Sequence, residues 1–327
     1  MPTTGQNMTY NPTLLRSRYG EEVTRAAVGL IERSNGAITL ESEAIEGDAL
    51  RIARFKRVPN LVSRRITKGT GSDGQATKRT MSQSDEQAAR LSRNVGPLLI
   101  TFDAMRKANM DETAFTNEIA KQMAEEEIID ELDAAAASAV GALTGTTGAV
   151  VDRTVTGIDN KKASNAALVA GLRLMGDMGS RVVAWMMSSA AYYDLMDQQI
   201  DPSETPFPVG ANVLYGASPA SLGRPSLVTD APALSPDDHW ILGLTRDALQ
   251  IRVDNMPIMG LRINEDLEAM NAGLIVRSEF DYAVNVKGYA YDDDDNPENA
   301  ALASTANWGL ELSDIKSSAG IAIKVAG

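Results

Sequence analysis

The sequence contains one histidine, and two aspartates stand directly before it in the turn Pro236-Asp-Asp-His-Trp. A serine–histidine–aspartate relay needs a serine on a sharp strand-to-helix turn such as Gly-x-Ser-x-Gly, and the chain has no such pattern. A zinc site needs several His or Cys ligands, whereas the chain has only His239 and no cysteine. We therefore expect His239 to be a surface residue in a loop before a strand.

Four consecutive aspartates, Asp292–Asp295, form a second group with possible chemistry, because carboxylates bind Ca²⁺. An EF-hand that begins at Asp292 needs Gly at its sixth position and Glu at its twelfth, and Pro297 and Ala303 stand there instead. The pattern favours an acidic turn that ends a strand. A cation site of another type stays open, and a metal-dependent hydrolase that uses these aspartates with His239 is the enzyme alternative.

The stretch Gly69–Gly74 has the Gly-x-Gly-x-x-Gly spacing of dinucleotide-binding loops. Such a loop follows a buried strand and opens a helix, so that backbone N–H groups face the pyrophosphate. Polar and basic residues flank this stretch on both sides, and the sequence has no P-loop. The sequence therefore predicts no cofactor and no enzymatic activity.

Charge is distributed unevenly along the chain, which carries a net charge of −13. From Arg51 to Arg93 there are eleven basic and three acidic residues, so this segment carries +8 and the remainder carries −21. The net negative charge argues against a simple nucleic-acid-binding module, although the basic segment keeps that alternative open. A basic segment on an acidic molecule can attract further copies of the same chain.

Other classes of protein are excluded by what the sequence lacks. No apolar run approaches the ~20 residues that span a bilayer, and the first residues do not form a signal peptide. The absence of cysteine excludes disulfides. We therefore expect synthesis in the cytoplasm and no membrane partner.

Residues 44–95 are predicted to form a long two-stranded loop. Its limbs, about 50–67 and 76–91, flank a tip rich in Gly and Ser at 68–74, which is typical of a loop end. The limbs carry too few apolar side chains to form a core, so we expect the loop to contact a partner surface. The candidate contact residues are basic side chains of this loop and acidic ones of the helix that follows: Arg51, Arg54, Lys56, Arg57, Arg64, Arg65, Lys68, Lys78, Arg79, Glu125, Glu126 and Asp130.

The strongest helix prediction covers Asp111–Val140, which corresponds to a length of ~45 Å. Between Asp111 and Asp133 there are nine acidic residues and a single base, Lys121. Apolar positions such as Ile119 and Met123 do not form one clean stripe, so the helix should contact different neighbours along its length. We expect its acidic residues to form a solvated face.

The remaining pattern is typical of an α+β fold with mixed sheets. Pro2 and Pro12 disfavour helix at the start, so residues 1–45 are expected to form an extended arm that leads into short elements. Within it, Glu21–Arg33 has a weak helical period. A buried strand over Val182–Met187 leads into a helix from Ser189 that is capped by Ser188 or Ser189. The segment 274–291 alternates between apolar and polar residues, which predicts a half-exposed strand.

Several segments resemble the major capsid proteins of tailed bacteriophages, the family that shares its fold with encapsulin shells. The resemblance lies in a strand-then-helix, a Gly-x-Pro strand that ends in Asp, a late strand with a small-aromatic ending, and an Asn-Pro to Asn-Trp tail. These segments are Trp185–Met196, Gly223–Asp230, Arg277–Tyr291 and Asn296–Trp308. They occur in the order typical of the family, and the resemblance covers nearly the whole chain.

The resemblance implies a tailed-phage capsid fold with five parts. These are an N-terminal arm (1–43), an extended loop (44–95), a peripheral domain with a long spine helix (96–144), an axial domain (145–255), and a return to the peripheral domain with C-terminal strands (256–327). The spine helix begins by residue 111, which leaves no room for the N-terminal scaffolding segment of many relatives. A separate scaffolding protein is therefore expected.

The function implied is a shell subunit that forms hexamers and pentamers of an icosahedral phage head. The further partners implied are a portal, a decoration protein, and packaged double-stranded DNA bound without sequence specificity. The protein would reside in the capsid shell of the virion after synthesis in the bacterial cytoplasm. The structural alternative is the shell protein of an encapsulin-type nanocompartment.

Overall fold

A computed structural model describes residues 12–43, 50–56, 58, 61–62, 78–101, 103, 107, 112–158, 160–200, 221–254, 262–266, 273–292, 296–312 and 314–327. The described helices are α1 (Pro12–Arg33), α2 (Glu112–Thr144), α3 (Asn165–Met175), α4 (Ser189–Ile200) and α5 (Asn299–Leu302). The described strands are β1 (Ile38–Glu43), β2 (Leu50–Phe55), β3 (Gln83–Thr101), β4 (Val150–Asp152), β5 (Val182–Met187), β6 (Ser226–Val228), β7 (His239–Thr245), β8 (Leu249–Asp254), β9 (Arg262–Asp266), β10 (Gly273–Val286), β11 (Tyr289–Tyr291), β12 (Trp308–Leu310) and β13 (Gly320–Val325). No described helix is both long and apolar enough to cross a membrane.

The first sheet has the strand order β1-β8-β10-β3-β2, and β9 pairs with β10 beside this path. The pair β1–β8 is parallel, whereas β10 is antiparallel to β3, β8 and β9. One face of this sheet presents Leu91, Tyr282 and Val284, which are buried against the long helix α2. The sheet therefore gives α2 a broad apolar surface to pack on.

The second sheet has the strand order β4-β13-β7-β5-β6. Side chains alternate between its two faces, as the period of a strand requires. Trp185 and Ile241 on one face pack with α3 and α4, while Met186 and Leu242 on the other face share a core with the second half of α2. The helix thus packs against both sheets, and the prediction that it contacts different neighbours along its length is confirmed.

The strands of each sheet do not all come from one side of residue 255, where we expect the axial domain to end. Strand β8 lies before that boundary yet belongs to the first sheet, and β13 lies after it yet stands in the middle of the second sheet. Each sheet is therefore completed by a strand from the other part of the chain. The α+β class with mixed sheets is confirmed.

Residues 12–33 form helix α1, so the helical period over Glu21–Arg33 is confirmed, whereas the expectation of an extended arm was wrong for residues 12–20. Pro12 is the first residue of this helix, where a missing N–H breaks no hydrogen bond and the fixed φ suits the helix. Leu15 and Leu30 are buried on its inner side. Residues 1–11 lie outside the described part of the chain.

The expectation of a half-exposed strand over 274–291 was also wrong in part. The apolar side chains Tyr282, Val284 and Val286 are buried as expected, but Ala283 and Asn285 on the opposite face are buried too. Neighbouring strands supply polar side chains that cover this face. Among them Asn285 lies 3.4 Å from both Glu86 and Gln250.

Candidate subunit-contact surfaces

The predicted two-stranded loop is present where its base is described. Strand β2 pairs antiparallel with the first part of β3, from Leu50 opposite Ala88 to Phe55 opposite Gln83. The Lys56 N–H then donates to the Ser82 carbonyl at 2.8 Å, which extends the pairing beyond the strands. We call residues 50–56, 58, 61–62 and 78–88 the loop arm.

The loop arm exposes large apolar side chains. Phe55 is 72% exposed, Val62 is 94% exposed, and Leu61 and Met81 are exposed as well. Scattered apolar residues on a surface are ordinary, but several close together in one arm indicate a surface that another molecule covers. The composition argument treated the loop as polar and basic and did not single out these four residues.

Of the described basic candidates of the loop arm, Arg51, Lys78 and Arg79 are exposed, whereas Lys56 is half-buried. Lys56 forms an ion pair with Glu311 at 3.4 Å. Arg51 lines an open cleft of about 320 Å³ at the base of the arm. No ion pair with another described residue holds Arg51, Lys78 or Arg79. The Arg54 side chain and all of Arg57, Arg64, Arg65, Lys68 and the tip Gly69–Gly74 lie outside the described residues.

The acidic candidates on α2 fall into two kinds. Glu125 and Glu126 are exposed, and Glu125 has only Lys121 of the same helix as a partner, at 3.7 Å. Asp130 is half-buried, accepts a hydrogen bond from the Tyr282 hydroxyl at 2.8 Å and lies 3.5 Å from Arg93. Asp130 therefore has partners within its own chain, whereas the other two acids face outward.

Within the described residues, no ion pair joins the cations of the loop arm to the acidic candidates on α2. Among these described residues, the two sets of opposite charge are therefore not paired within one chain.

The expectation of a solvated acidic face on α2 holds at Glu125 and Glu126 but was wrong at Glu127 and Glu131, which are buried. Glu127 accepts a hydrogen bond from the Tyr19 hydroxyl of α1. Burial raises the pKa of Glu127, and nearby Asp130 raises it further. Burial together with the charges of Glu127 and Asp130 raises the pKa of Glu131 to about 8.

The spacing of α2 could have revealed these two buried acids. Ala120, Ala124, Glu127 and Glu131 follow one another at intervals of four, three and four residues, which places them on one helix face. Both alanines are buried. The acidic residue type suggested that Glu127 and Glu131 face solvent, but their position on the helix buries them.

Potential catalytic groups are not assembled among the described residues. His239 begins β7, is half-buried, and its Nδ1 lies 2.9 Å from the Ser235 hydroxyl. Its neighbour Asp238 forms an ion pair with Lys324 at 2.9 Å. The described part of the chain holds no group of three or more His, Cys, Asp or Glu that could bind a metal ion. Asp293–Asp295 lie outside it.

Comparison with known protein families gives one match over almost the whole chain. The model of the Gp13-like family, described as major capsid protein 13-like, matches residues 7–322. The chain belongs to this family of major capsid proteins. The matched range includes α2, the loop arm and all described strands except the end of β13. A search of curated proteins finds no match.

Solved capsid structures share the fold of this capsid protein. The Mycobacterium phage Cain structure aligns with a TM-score of 0.53 at 10% identity, over 90% of this chain and 89% of that chain. The Mycobacterium phage Adephagia structure gives 0.52 at 11% identity, again over 90% and 89%. The capsid of Ralstonia phage GP4 gives 0.51 at 10% identity, over 90% and 88%. At these identities the likeness is one of fold, and the tailed-phage capsid fold is confirmed.

Membership of this family makes the role of the protein a structural one. Its place is the capsid of a phage virion, where copies of the chain assemble into a shell. The loop arm and the outward acids of α2 are therefore candidate surfaces for assembly.

Proposed function

We propose that this capsid protein assembles into hexamers and pentamers of an icosahedral shell that encloses double-stranded DNA. In the proposed assembly the loop arm of each subunit lies against a neighbouring copy, and the exposed acids of α2 belong to the receiving surface. The shell has no enzymatic role. The observation that carries the proposal is that one arm combines exposed apolar side chains with cations that form no ion pair among the described residues.

The apolar part of the loop arm supplies a driving force for association. Phe55, Leu61, Val62 and Met81 are exposed in the single chain. Full burial of one such side chain contributes on the order of 1.5–3 kcal/mol. Because obligate assemblies bury extensive apolar surface, a neighbouring subunit that covers this arm would be stabilised by these contacts.

The charged part of the loop arm favours the correct orientation of the neighbouring subunit. Arg51, Lys78 and Arg79 have no ion pair among the described residues, and Glu125 and Glu126 face outward on the same fold. Opposite charges on two surfaces increase the rate of correct association and disfavour contacts between like surfaces. The cost of burying these charges remains small if they stay at the rim of the contact.

The proposed partners beyond the chain itself are a separate scaffolding protein, a portal and a decoration protein. Packaged DNA would lie inside the shell without sequence-specific contacts. The net charge of −13 fits an enclosing shell better than a tight DNA-binding protein, because phosphate binding requires clustered Lys and Arg.

A charge exchange within one chain tests the proposed contact. The variant Arg51→Glu, Lys78→Glu, Arg79→Glu places acids on both surfaces, and we expect it to lose assembly at low salt. Adding Glu125→Lys and Glu126→Lys to the same chain restores opposite charges and should restore assembly. Sedimentation velocity in the presence of the scaffolding protein measures the outcome.

Lys161→Glu is the matched control, because Lys161 is exposed but lies outside the loop arm. It should assemble as the wild type does. If the combined variant stays unassembled while its circular dichroism spectrum is unchanged, the acids of α2 are not the receiving surface. If the arm variant assembles normally, the loop arm does not direct assembly.

A further inference from the structure

The contact between α1 and α2 contains an unusual concentration of buried acid. Glu127 and Glu131 lie one helical turn apart on the face of α2 that is turned inward. Tyr19 links the two helices by donating its hydroxyl hydrogen to Glu127 Oε2. Around this polar pair the contact is apolar, with Leu15 and Met123 in one buried cluster.

The groups that face Glu131 come from each element packed there. Glu127 and Asp130 lie on α2 itself, Tyr19 comes from α1, and Tyr282 comes from β10. Arg93 of β3 lies 3.5 Å from Asp130. Arg93 also donates hydrogen bonds to Asn296 at 2.9 Å and to the Pro297 carbonyl at 3.0 Å. Among the described residues, no ion pair joins a base to Glu127 or Glu131.

Glu131 is fully buried, and neither of its carboxyl oxygens has a hydrogen-bond partner among the described residues. A buried carboxylate without a partner is strongly disfavoured, whereas the neutral acid is tolerated. The present packing therefore suits a protonated Glu131, and the raised pKa of about 8 agrees with the geometry.

We propose that Glu127 and Glu131 form a proton-operated latch, which holds α1 on α2 while Glu131 is protonated and loosens that contact once Glu131 ionises. The latch is distinct from the proposed contact surfaces, because it uses buried acids within one chain. It adds a form of regulation that assembly through the loop arm does not require.

The effect of ionisation follows from the surroundings of the carboxyl groups. A charge on Glu131 adds to the charges of Glu127 and Asp130, and no free base is described nearby to balance it. The strain is relieved if Tyr19 leaves Glu127 for Glu131 or if water enters between the helices. Either change disturbs the Tyr19–Glu127 bond, which is the polar link between α1 and α2 at this point.

Hydrogen exchange of α1 in the full-length protein tests the latch. After correction for intrinsic exchange rates, we expect exchange in α1 of the wild type to rise by at least roughly tenfold from about pH 6 to about pH 9, because the closed state binds the proton more tightly than the open state. In Glu131→Gln the side chain stays neutral, so the rise should be less than about twofold.

Glu118→Gln is the matched control, because it removes an exposed acid thirteen residues earlier on the same helix, and it should behave as the wild type does. The same rise in Glu131→Gln as in the wild type would overturn the proposal. If Glu131→Gln does not fold, flat protection of α1 across this pH range in the wild type would overturn it equally. Tyr19→Phe should raise exchange in α1 already at about pH 6, and an unchanged rate would contradict the role of the Tyr19–Glu127 bond.

Discussion

The loop arm and helix α2 carry opposite charge in the sequence, yet they have opposite relations to the rest of the molecule. Side chains of the arm such as Phe55 and Arg79 are exposed, and among the described strands β2 pairs with β3 alone. The second half of α2, from Ala134 to Leu143, is buried on all sides between the two sheets. The difference shows that α2 contributes to the core of the single chain, while the described side chains of the arm leave an exposed surface, which we propose contacts other copies.

The largest expected difference in the free energy of unfolding is between truncating a large side chain of α2 and truncating one of the loop arm. Leu143→Ala should lower the free energy of unfolding by about 2–5 kcal/mol, because it leaves a cavity in the shared core. Phe55→Ala should change the same free energy by less than about 0.5 kcal/mol, because the side chain is exposed. Denaturant unfolding of the two variants measures both, and equal losses would break the contrast between helix and arm.

Two helical glycines differ in the space that is available for a Cβ atom. A Cβ at Gly141 of α2 would lie 2.2 Å from the Leu302 carbonyl oxygen, so Gly141→Ala should destabilise by about 1–3 kcal/mol through overpacking. A Cβ at Gly20 of α1 would meet nothing within 4 Å, so Gly20→Ala should stabilise by up to about 1 kcal/mol. Thermal unfolding distinguishes them, and a stabilising Gly141→Ala would show that α2 is less tightly packed than described.

The buried acid Glu131 of α2 makes the stability of the folded chain depend on pH, unlike the exposed acids of the same helix. The folded chain binds the Glu131 proton more tightly than the unfolded chain, so its contribution to stability is complete below pH 4.5 and is lost as the pH rises to about 8. Relative to Glu131→Gln, the wild type should lose at most about 1.4 kcal/mol per pH unit within this window. Urea unfolding at several pH values measures the slope. A parallel pH dependence in both proteins would contradict the description of Glu131 as a buried neutral acid.

The smallest expected effect on folding comes from the tip of the loop. Removing Gly69–Gly74 should change the free energy of unfolding by less than about 0.5 kcal/mol, because we place this segment outside the core. The same deletion should impair assembly. Circular dichroism and sedimentation velocity on one sample check the two halves of the prediction, and loss of the fold would contradict it.

Local patterns in the sequence predicted the local elements well. The buried strand Val182–Met187 and the helix from Ser189 are confirmed, and the Ala191 N–H donates to the Ser188 hydroxyl at the start of that helix. The long helix is also confirmed and runs four residues further than expected, to Thr144. These features depend on side-chain periodicity and capping, both of which are visible in neighbouring residues.

Long-range packing explains what the sequence did not predict. Strand β13 joins the second sheet beside β4 and β7, a placement that no pattern within Gly320–Val325 determines. The burial of Glu131 depends on α1, and the first part of α1 was missed because Pro12 was taken as a helix breaker rather than a helix start. In both cases a partner distant in sequence decides the environment.

The candidate contact residues were predictable only as a set of charges. The sequence grouped Asp130 with Glu125 and Glu126, but the structure gives Asp130 partners in Tyr282 and Arg93. Glu125 and Glu126 are exposed, whereas Asp130 is half-buried and bonded within the chain. This difference depends on packing that the sequence does not show. The role of the loop arm in assembly stays a prediction.

Negative-stain electron microscopy of the wild type and of the variant Arg51→Glu, Lys78→Glu, Arg79→Glu, each produced with the scaffolding protein, tests the central claim most directly. We expect closed shells of uniform diameter from the wild type. The variant should yield folded but unassembled subunits. Shells of equal number and size from both proteins would contradict the claim that the loop arm builds the shell.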